Sequence, residues 1–201
     1  MLKRMPRAER EQQMLDAAQK LFAQHGYAAV AMDDVATAVG VTKPLLYNYW
    51  GNKERLFLAC MERSADALFE AVLRAVREEP TPAAAARAGM RAFFAFVEAE
   101  RGAWRIVFDE TLPSEGAIAT RVARERERIT GLVADAFASN RPDAARIEVV
   151  ALSHAILGAA EALARWWLRT EAMPAERAAD LLIETLVPGL EARGNPEGSL
   201  T

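Results

Sequence analysis

DDVATAVGVTKPLLYNYW, Asp33 to Trp50, is the stretch on which the reading of this chain turns. Ala36, Gly40 and Leu46 stand four and then six residues apart, the spacing two short helices need to cross tightly around a sharp turn. A small residue at 36 lets the helices approach. Gly40 supplies the φ > 0 conformation that ends the first helix without a Cβ clash. Leu46 points inward from the second helix, so that helix shows its other face to solvent. This pattern predicts a helix-turn-helix, whose second helix is shaped to lie in a DNA major groove.

The second helix starts after Thr42, a good N-cap, with Pro44 in the first turn where its missing N–H is harmless. Leu46 and Trp50, one turn apart, face inward. Lys43, Leu45, Asn48 and Tyr49 then face outward, with Pro44 at the leading end. Lys43 can bond a guanine edge or a phosphate, and Asn48 can bond adenine. Leu45 and Pro44 offer only apolar contacts, suited to the thymine methyl. The phenols of Tyr47 and Tyr49 are better suited to phosphates than to bases.

The wider run from Gly26 to Phe57 resembles the DNA-binding segment of the tetracycline-repressor (TetR) family of transcriptional regulators. The matching elements are Gly26-Tyr27, Asp34-Val35-Ala36, Gly40-Val41-Thr42-Lys43, Leu46-Tyr47 and Asn52-Lys53-Glu54-Xaa-Leu56. The resemblance implies that Tyr47, Tyr49 and Lys53 hold the DNA backbone. It also marks departures. Tyr49 replaces the more usual histidine and Trp50 the usual phenylalanine, while Val30 and Ala31 stand where the family usually has Ser or Thr. Asp33 or backbone groups must therefore start the first helix of the motif, and one phosphate anchor is missing or supplied elsewhere.

Composition is compatible with this. The 201 residues, just over half of them apolar, can bury a sizeable core. No run approaches the roughly 20 apolar residues of a membrane span, and MLKRMPRAEREQQ is no signal peptide, so a cytoplasmic protein is expected. The single cysteine, Cys60, excludes an intrachain disulfide and a cysteine-cluster metal site. No metal or other cofactor is expected. Residues 1–55 hold eight Lys and Arg against six Asp and Glu, a balance of +2 that leaves −5 for the remainder. A slightly basic head on an acidic body suits a DNA-reading end. Lys3, Arg4 and Arg7 form a basic arm that can follow the DNA backbone or a minor groove, or simply stay solvated.

The rest reads as helix. Arg7 to Gln24 carries an apolar stripe and is stopped by Gly26. Lys53 to about Glu78 is too long to serve the reading unit alone and must join head to body, closed by Pro80 and Pro82. The body holds helices near 83–100, 102–110, 116–137, 144–169 and 174–190. Ser139 to Asp143 makes a turn, Pro188-Gly189 closes the last helix, and a polar tail follows. The expected architecture is all-α with about nine helices: an N-terminal helix-turn-helix domain, residues 1–55, joined by the long helix to a helical domain, residues 56–201.

The last two helices are apolar over more than one face. Small residues crowd 155–164, and Ala179, Leu182, Ile183, Leu186 and Leu190 form a stripe. One face can close the monomer; the surplus calls for a second chain. The resemblance implies the same, since regulators of this family pair these helices into a four-helix bundle. A two-fold dimer presents two recognition helices to a near-palindromic operator, with half-sites about 34–36 Å apart or a multiple of that.

The resemblance further implies a small molecule bound among the central helices of the body, and release from the operator when it binds. Lining candidates, chosen as aromatic surface with a few polar groups, are Met90, Phe94, Val97, Trp104, Phe108, His154, Glu161 and Trp166. Glu161 can instead pair with Arg165 one turn on. The alternatives are a regulator without an effector and, less favoured, an enzyme. No nucleophile elbow, phosphate-binding glycine loop, zinc motif or dinucleotide fingerprint is present, and the two histidines, His25 and His154, lie most of the chain apart.

Overall fold

The computed structural model describes residues 5–108, 112–138 and 146–194. Lys3, Arg4, the Ser139–Asp143 turn and the polar tail beyond Gly194 lie outside these residues. Nine helices and no strand occur among them: α1 (Arg7–Ala29), α2 (Met32–Val39), α3 (Lys43–Trp50), α4 (Lys53–Arg77), α5 (Pro82–Ala99), α6 (Arg101–Phe108), α7 (Gly116–Ala138), α8 (Arg146–Thr170) and α9 (Ala175–Gly194). They form two compact units, residues 1–66 with 100–123 and residues 67–99 with 124–201. The first unit thus extends past residue 55 and includes α6, which sequence reading assigned to the body.

In the first unit the core is Met14, Ala18 and Phe22 of α1, Val35 of α2, Leu46 of α3, and Leu56, Phe57, Cys60 and Met61 of α4, all buried. Phe22 meets the edge of Phe57 at 5.0 Å between centroids, and Tyr27 packs on Phe57 at 4.7 Å. Gly26, at φ 79°, breaks α1 before its last short segment. The α1–α4 contact is pinned by Arg63, whose guanidinium donates to Gln19 Oε1, Asp16 Oδ1 and the Leu15 carbonyl. Helix α6 lies so close to α1 that a Cβ on Gly102 would stand 2.8 Å from that of Ala23.

Cys60 sits inside this core, and burial raises its thiol pKa from the ordinary 9.0 to about 12. A thiol this reluctant to ionise is a poor nucleophile. Native protein at pH 8 is expected to resist a thiol-specific disulfide reagent and to react once unfolded in guanidinium. The sign for stability follows. Above about pH 9 the unfolded chain gains by ionising while the folded chain does not, so stability falls as pH rises toward 12. Fast stoichiometric labelling of the native protein at pH 8 would contradict this.

In the second unit Phe93 and Phe94 of α5 meet edge to face at 5.3 Å, and Phe94 meets Trp167 of α8 at 6.5 Å. The Trp167 indole N–H donates to the Met173 carbonyl at 2.7 Å. Arg91 and Asp180 tie α5 to α9 at 2.9 Å. Thr81 caps α5 by accepting from the Ala84 N–H at 3.2 Å. Pro188 does not close α9, as the sequence suggested; the helix continues through it to Gly194. A proline removes one helical hydrogen bond and strains the turn before it, but need not end a helix.

By length and composition alone, helix α8 is long and apolar enough to cross a membrane. No uninterrupted apolar run of that length occurs in it, because Ser153-His154, Glu161 and Arg165 divide the sequence. The apolarity serves two faces. Val149, Leu157, Ala160, Ala164 and Trp167 are buried in the unit. Ile147, Ala151, Ala155, Gly158, Ala162 and Trp166 form an exposed stripe at helical spacing.

Candidate DNA-reading site and effector cavity

The turn between α2 and α3 is built as its spacing requires. Gly40 adopts φ +73°, with no atom within 4 Å of where a Cβ would stand, so the need for glycine there is conformational and not steric. Its N–H donates to the Thr37 carbonyl, and that of Val41 to the Ala36 carbonyl at 2.9 Å. The start of α2 differs from expectation. Asp34, not Asp33, supplies the cap: its Oδ2 accepts from the Ala31 N–H at 2.7 Å. An acid three residues into the helix reaching back to the N-cap is half of a capping box. Thr42 occupies the N-cap position of α3, but its side chain makes no capping hydrogen bond.

Leu46 is fully buried, and Pro44, Asn48, Tyr47 and the Thr42 and Lys43 side chains are exposed. Leu45 and Tyr49 are half-buried. Lys43 is not free: Asp33 holds its ammonium at 2.9 Å, and that hydrogen bond is the main reason the Lys43 pKa is raised. The Arg7 guanidinium lies over the Tyr49 ring at 5.0 Å. Lys53 donates to the Ala28 carbonyl at 3.1 Å and sits over the Tyr27 ring at 4.6 Å; desolvation there lowers its pKa. Asn52 caps α4 by accepting from the Arg55 N–H at 2.8 Å, a role its place before Lys-Glu could have suggested.

Trp50 is half-buried, with its indole N–H sealed from solvent and no acceptor for it among the described residues. A buried donor without a partner costs about 1–3 kcal/mol. Trp50→Phe removes that donor, so its thermal midpoint is expected to match or exceed the parent's despite the smaller ring. A fall of more than a few degrees would show that the indole's packing outweighs its unmet hydrogen bond.

The second unit contains a cavity of about 110 Å³. It is lined by Val72 and Val76 of α4, by Ala85, Ala86, Gly89, Met90 and Phe93 of α5, and by Ile129, Leu132 and Val133 of α7. Ile156, Leu157 and Ala160 of α8 and Leu182, Ile183 and Leu186 of α9 complete it. No lining side chain can form a strong hydrogen bond or an ion pair.

Of the eight residues expected to line a ligand site, Met90 alone lines this cavity. Phe94 and Val97 are fully buried and absent from the lining. Trp104 and Phe108 stack on each other at 4.0 Å in the first unit. His154 is exposed, 3.9 Å from Glu127. Trp166 belongs to the exposed stripe of α8. Glu161 is buried and does pair, but chiefly with Arg126 of α7 at 2.9 Å, and only at 3.7 Å with Arg165. The sequence reading favoured aromatic and polar side chains, whereas most of those pack the core or pair with one another and leave the cavity to apolar ones, Phe93 the one aromatic among them.

A helix-turn-helix with an exposed, polar-edged second helix, attached to an all-helical body holding an apolar cavity, defines a DNA-binding regulator. Residues 14–60 match the family model for bacterial regulatory proteins of the tetR family, and residues 82–189 that of the tetracyclin repressor-like C-terminal domain. The chain belongs to the TetR family of transcriptional regulators. It is 32% identical over 169 residues to the HTH-type transcriptional activator FasR of Mycolicibacterium smegmatis, covering 84% of this chain and 76% of that one. A TetR-like transcriptional regulator from Rhodococcus sp. RHA1 superimposes with a TM-score of 0.78 at 32% identity, over 94% of this chain and 99% of that one. AibR, solved in complex with isovaleryl coenzyme A and operator DNA, gives 0.74 at 25% identity, over 89% and 98%.

Proposed function

We propose that this cytoplasmic regulator binds a near-palindromic operator as a homodimer and is released when an acyl chain enters the cavity of its second unit. The wholly apolar lining carries this reading. A polar group placed there would give up its water hydrogen bonds for nothing, at a cost of about 1–3 kcal/mol. The inserted part of the effector is therefore hydrocarbon, and its polar end stays outside. The isovaleryl coenzyme A bound by AibR supports an acyl thioester as the carrier.

Dimerisation is supported by the exposed stripe on α8, where Ala151, Ala155, Gly158 and Ala162 permit close helix approach between Ile147 and Trp166. DNA contacts fall to Lys43, Pro44, Leu45 and Asn48 in the groove and to Thr42, Tyr47, Tyr49 and Lys53 on the backbone. In this division the reading domain is residues 1–55 and the effector and dimerisation domain residues 56–201. Helix α4 links the two events by covalent continuity, since it carries Leu56 and Phe57 in the reading unit and Val72 and Val76 at the cavity. A ligand that binds the form with displaced α4 more tightly shifts the population away from DNA.

Release of this kind makes the protein a repressor where its operator overlaps a promoter. The similarity to FasR, described as an activator, supports a second reading in which the DNA-bound form assists transcription. Footprinting on the DNA flanking its own gene, with and without a graded series of saturated acyl coenzyme A thioesters, tests the proposal. Protection of two symmetric half-sites, lost at saturating thioester of a preferred chain length, is the expected result. Thioester binding by calorimetry with no change in protection would overturn the coupling.

A further inference from the structure

The first turn of α2 carries two acids, Asp33 and Asp34, beside the face that the function proposed above, on which this inference rests, turns toward DNA. Asp34 is committed to the backbone of Ala31, but Asp33 has no such task. Its two carboxylate oxygens lie 2.9 and 3.1 Å from the Lys43 ammonium at the start of α3. Both side chains are more than half exposed, so water and salt screen the pair and it contributes little to folding. Its effect is on what Lys43 can touch. A lysine ammonium is a point charge on a flexible stem, with three donors and no preferred direction. Left free at the head of a recognition helix it would take the nearest phosphate, which carries no sequence information.

We propose that Asp33 is a specificity-determining residue of the DNA site, holding Lys43 to a base edge and penalising phosphate contact. The carboxylate engages one or two of the three ammonium donors and leaves at least one for a guanine O6 or N7. Its negative charge also opposes the non-specific attraction on which all sequences draw alike. The pair therefore sacrifices general affinity for discrimination. It persists in the specific complex and does not simply break on binding.

The test uses the full chain with two duplexes: one enriched by the parent protein from a randomised library, and a scrambled version of it. Asp33→Asn keeps the shape and removes the charge; Lys43→Met and the double variant complete the cycle. Asp33→Asn is expected to bind the scrambled duplex more tightly, with a salt dependence steeper by about 0.9 for each phosphate newly contacted. Its affinity ratio between the two duplexes should fall by about tenfold. In the Lys43→Met background the same change should shift both duplexes equally and leave the ratio alone. An unchanged thermal midpoint, which the exposure of both groups predicts, separates these effects from misfolding.

A ratio unaltered by Asp33→Asn would overturn the inference, because Asp33 would then only repel DNA or rest on Lys43 until binding. A ratio that falls as far without Lys43 would overturn it too. If the library yields no enriched sequence, the DNA-reading face itself is misassigned and Asp33 falls with it; enrichment with an unaltered ratio sinks Asp33 alone.

Discussion

Leu46→Ala is expected to remove sequence-specific DNA binding while leaving the second unit folded. Leu46 is fully buried in the first unit's core, and truncating a buried leucine costs about 2–5 kcal/mol. Helix α3 has eight residues, fewer than the ~12–15 that an isolated helix needs in water. It is held in place by docking, and Leu46 is its only buried side chain. Loss of that anchor lowers operator affinity by roughly 30-fold to several thousandfold at ~1.4 kcal/mol per decade. Gel shifts on an enriched duplex measure the loss. Melting followed by circular dichroism should retain a transition for the second unit. Parental affinity and an unaltered melt would mean that something other than Leu46 positions the recognition helix.

The second large effect separates core from cavity. Phe94 is fully buried and packs edge to face on Phe93 and near Trp167. Phe94→Ala should therefore cost about 3–5 kcal/mol, a fall in thermal midpoint of roughly 6–20 °C at ~2–4 °C per kcal/mol. Because Phe94 does not line the cavity, the acyl chain length preferred by the surviving folded protein should stay the same. Met90→Ala makes the converse case. Met90 is half-buried and lines the cavity, so its truncation should cost less stability and shift the preference toward longer chains. Calorimetric titration with the thioester series reads both. A changed preference in Phe94→Ala with none in Met90→Ala would move the ligand site away from this cavity.

The DNA-reading motif was legible because its rules are local. The positions of Ala36, Gly40 and Leu46 specify a small contact, a left-handed turn and an inward anchor within eleven residues. Gly40 at φ +73° and the fully buried Leu46 are what those rules require. The cap of α2 was legible in principle too: an acid at position 34, three after Ala31, is a capping signal even where no Ser or Thr stands at the N-cap. The tie between Asp33 and Lys43 was not, since it spans a turn whose side-chain directions spacing alone leaves open.

The cavity shows the opposite case. Periodicity tells which residues share a helix face, but not which neighbour that face meets. Trp104 and Phe108 looked like body residues by chain position, yet Gly102 lets α6 lie against Ala23 and places them in the first unit. Glu161 had a plausible partner one turn away, but Arg126, 35 residues distant, takes it. By itself the sequence determined the helical class, the helix-turn-helix and the exposed face of its second helix, because these depend on contacts between residues near in the chain. The tertiary structure alone decided which side chains surround empty space and which acid restrains Lys43. Those outcomes depend on the packing of distant helices and on side-chain directions, which no local pattern encodes.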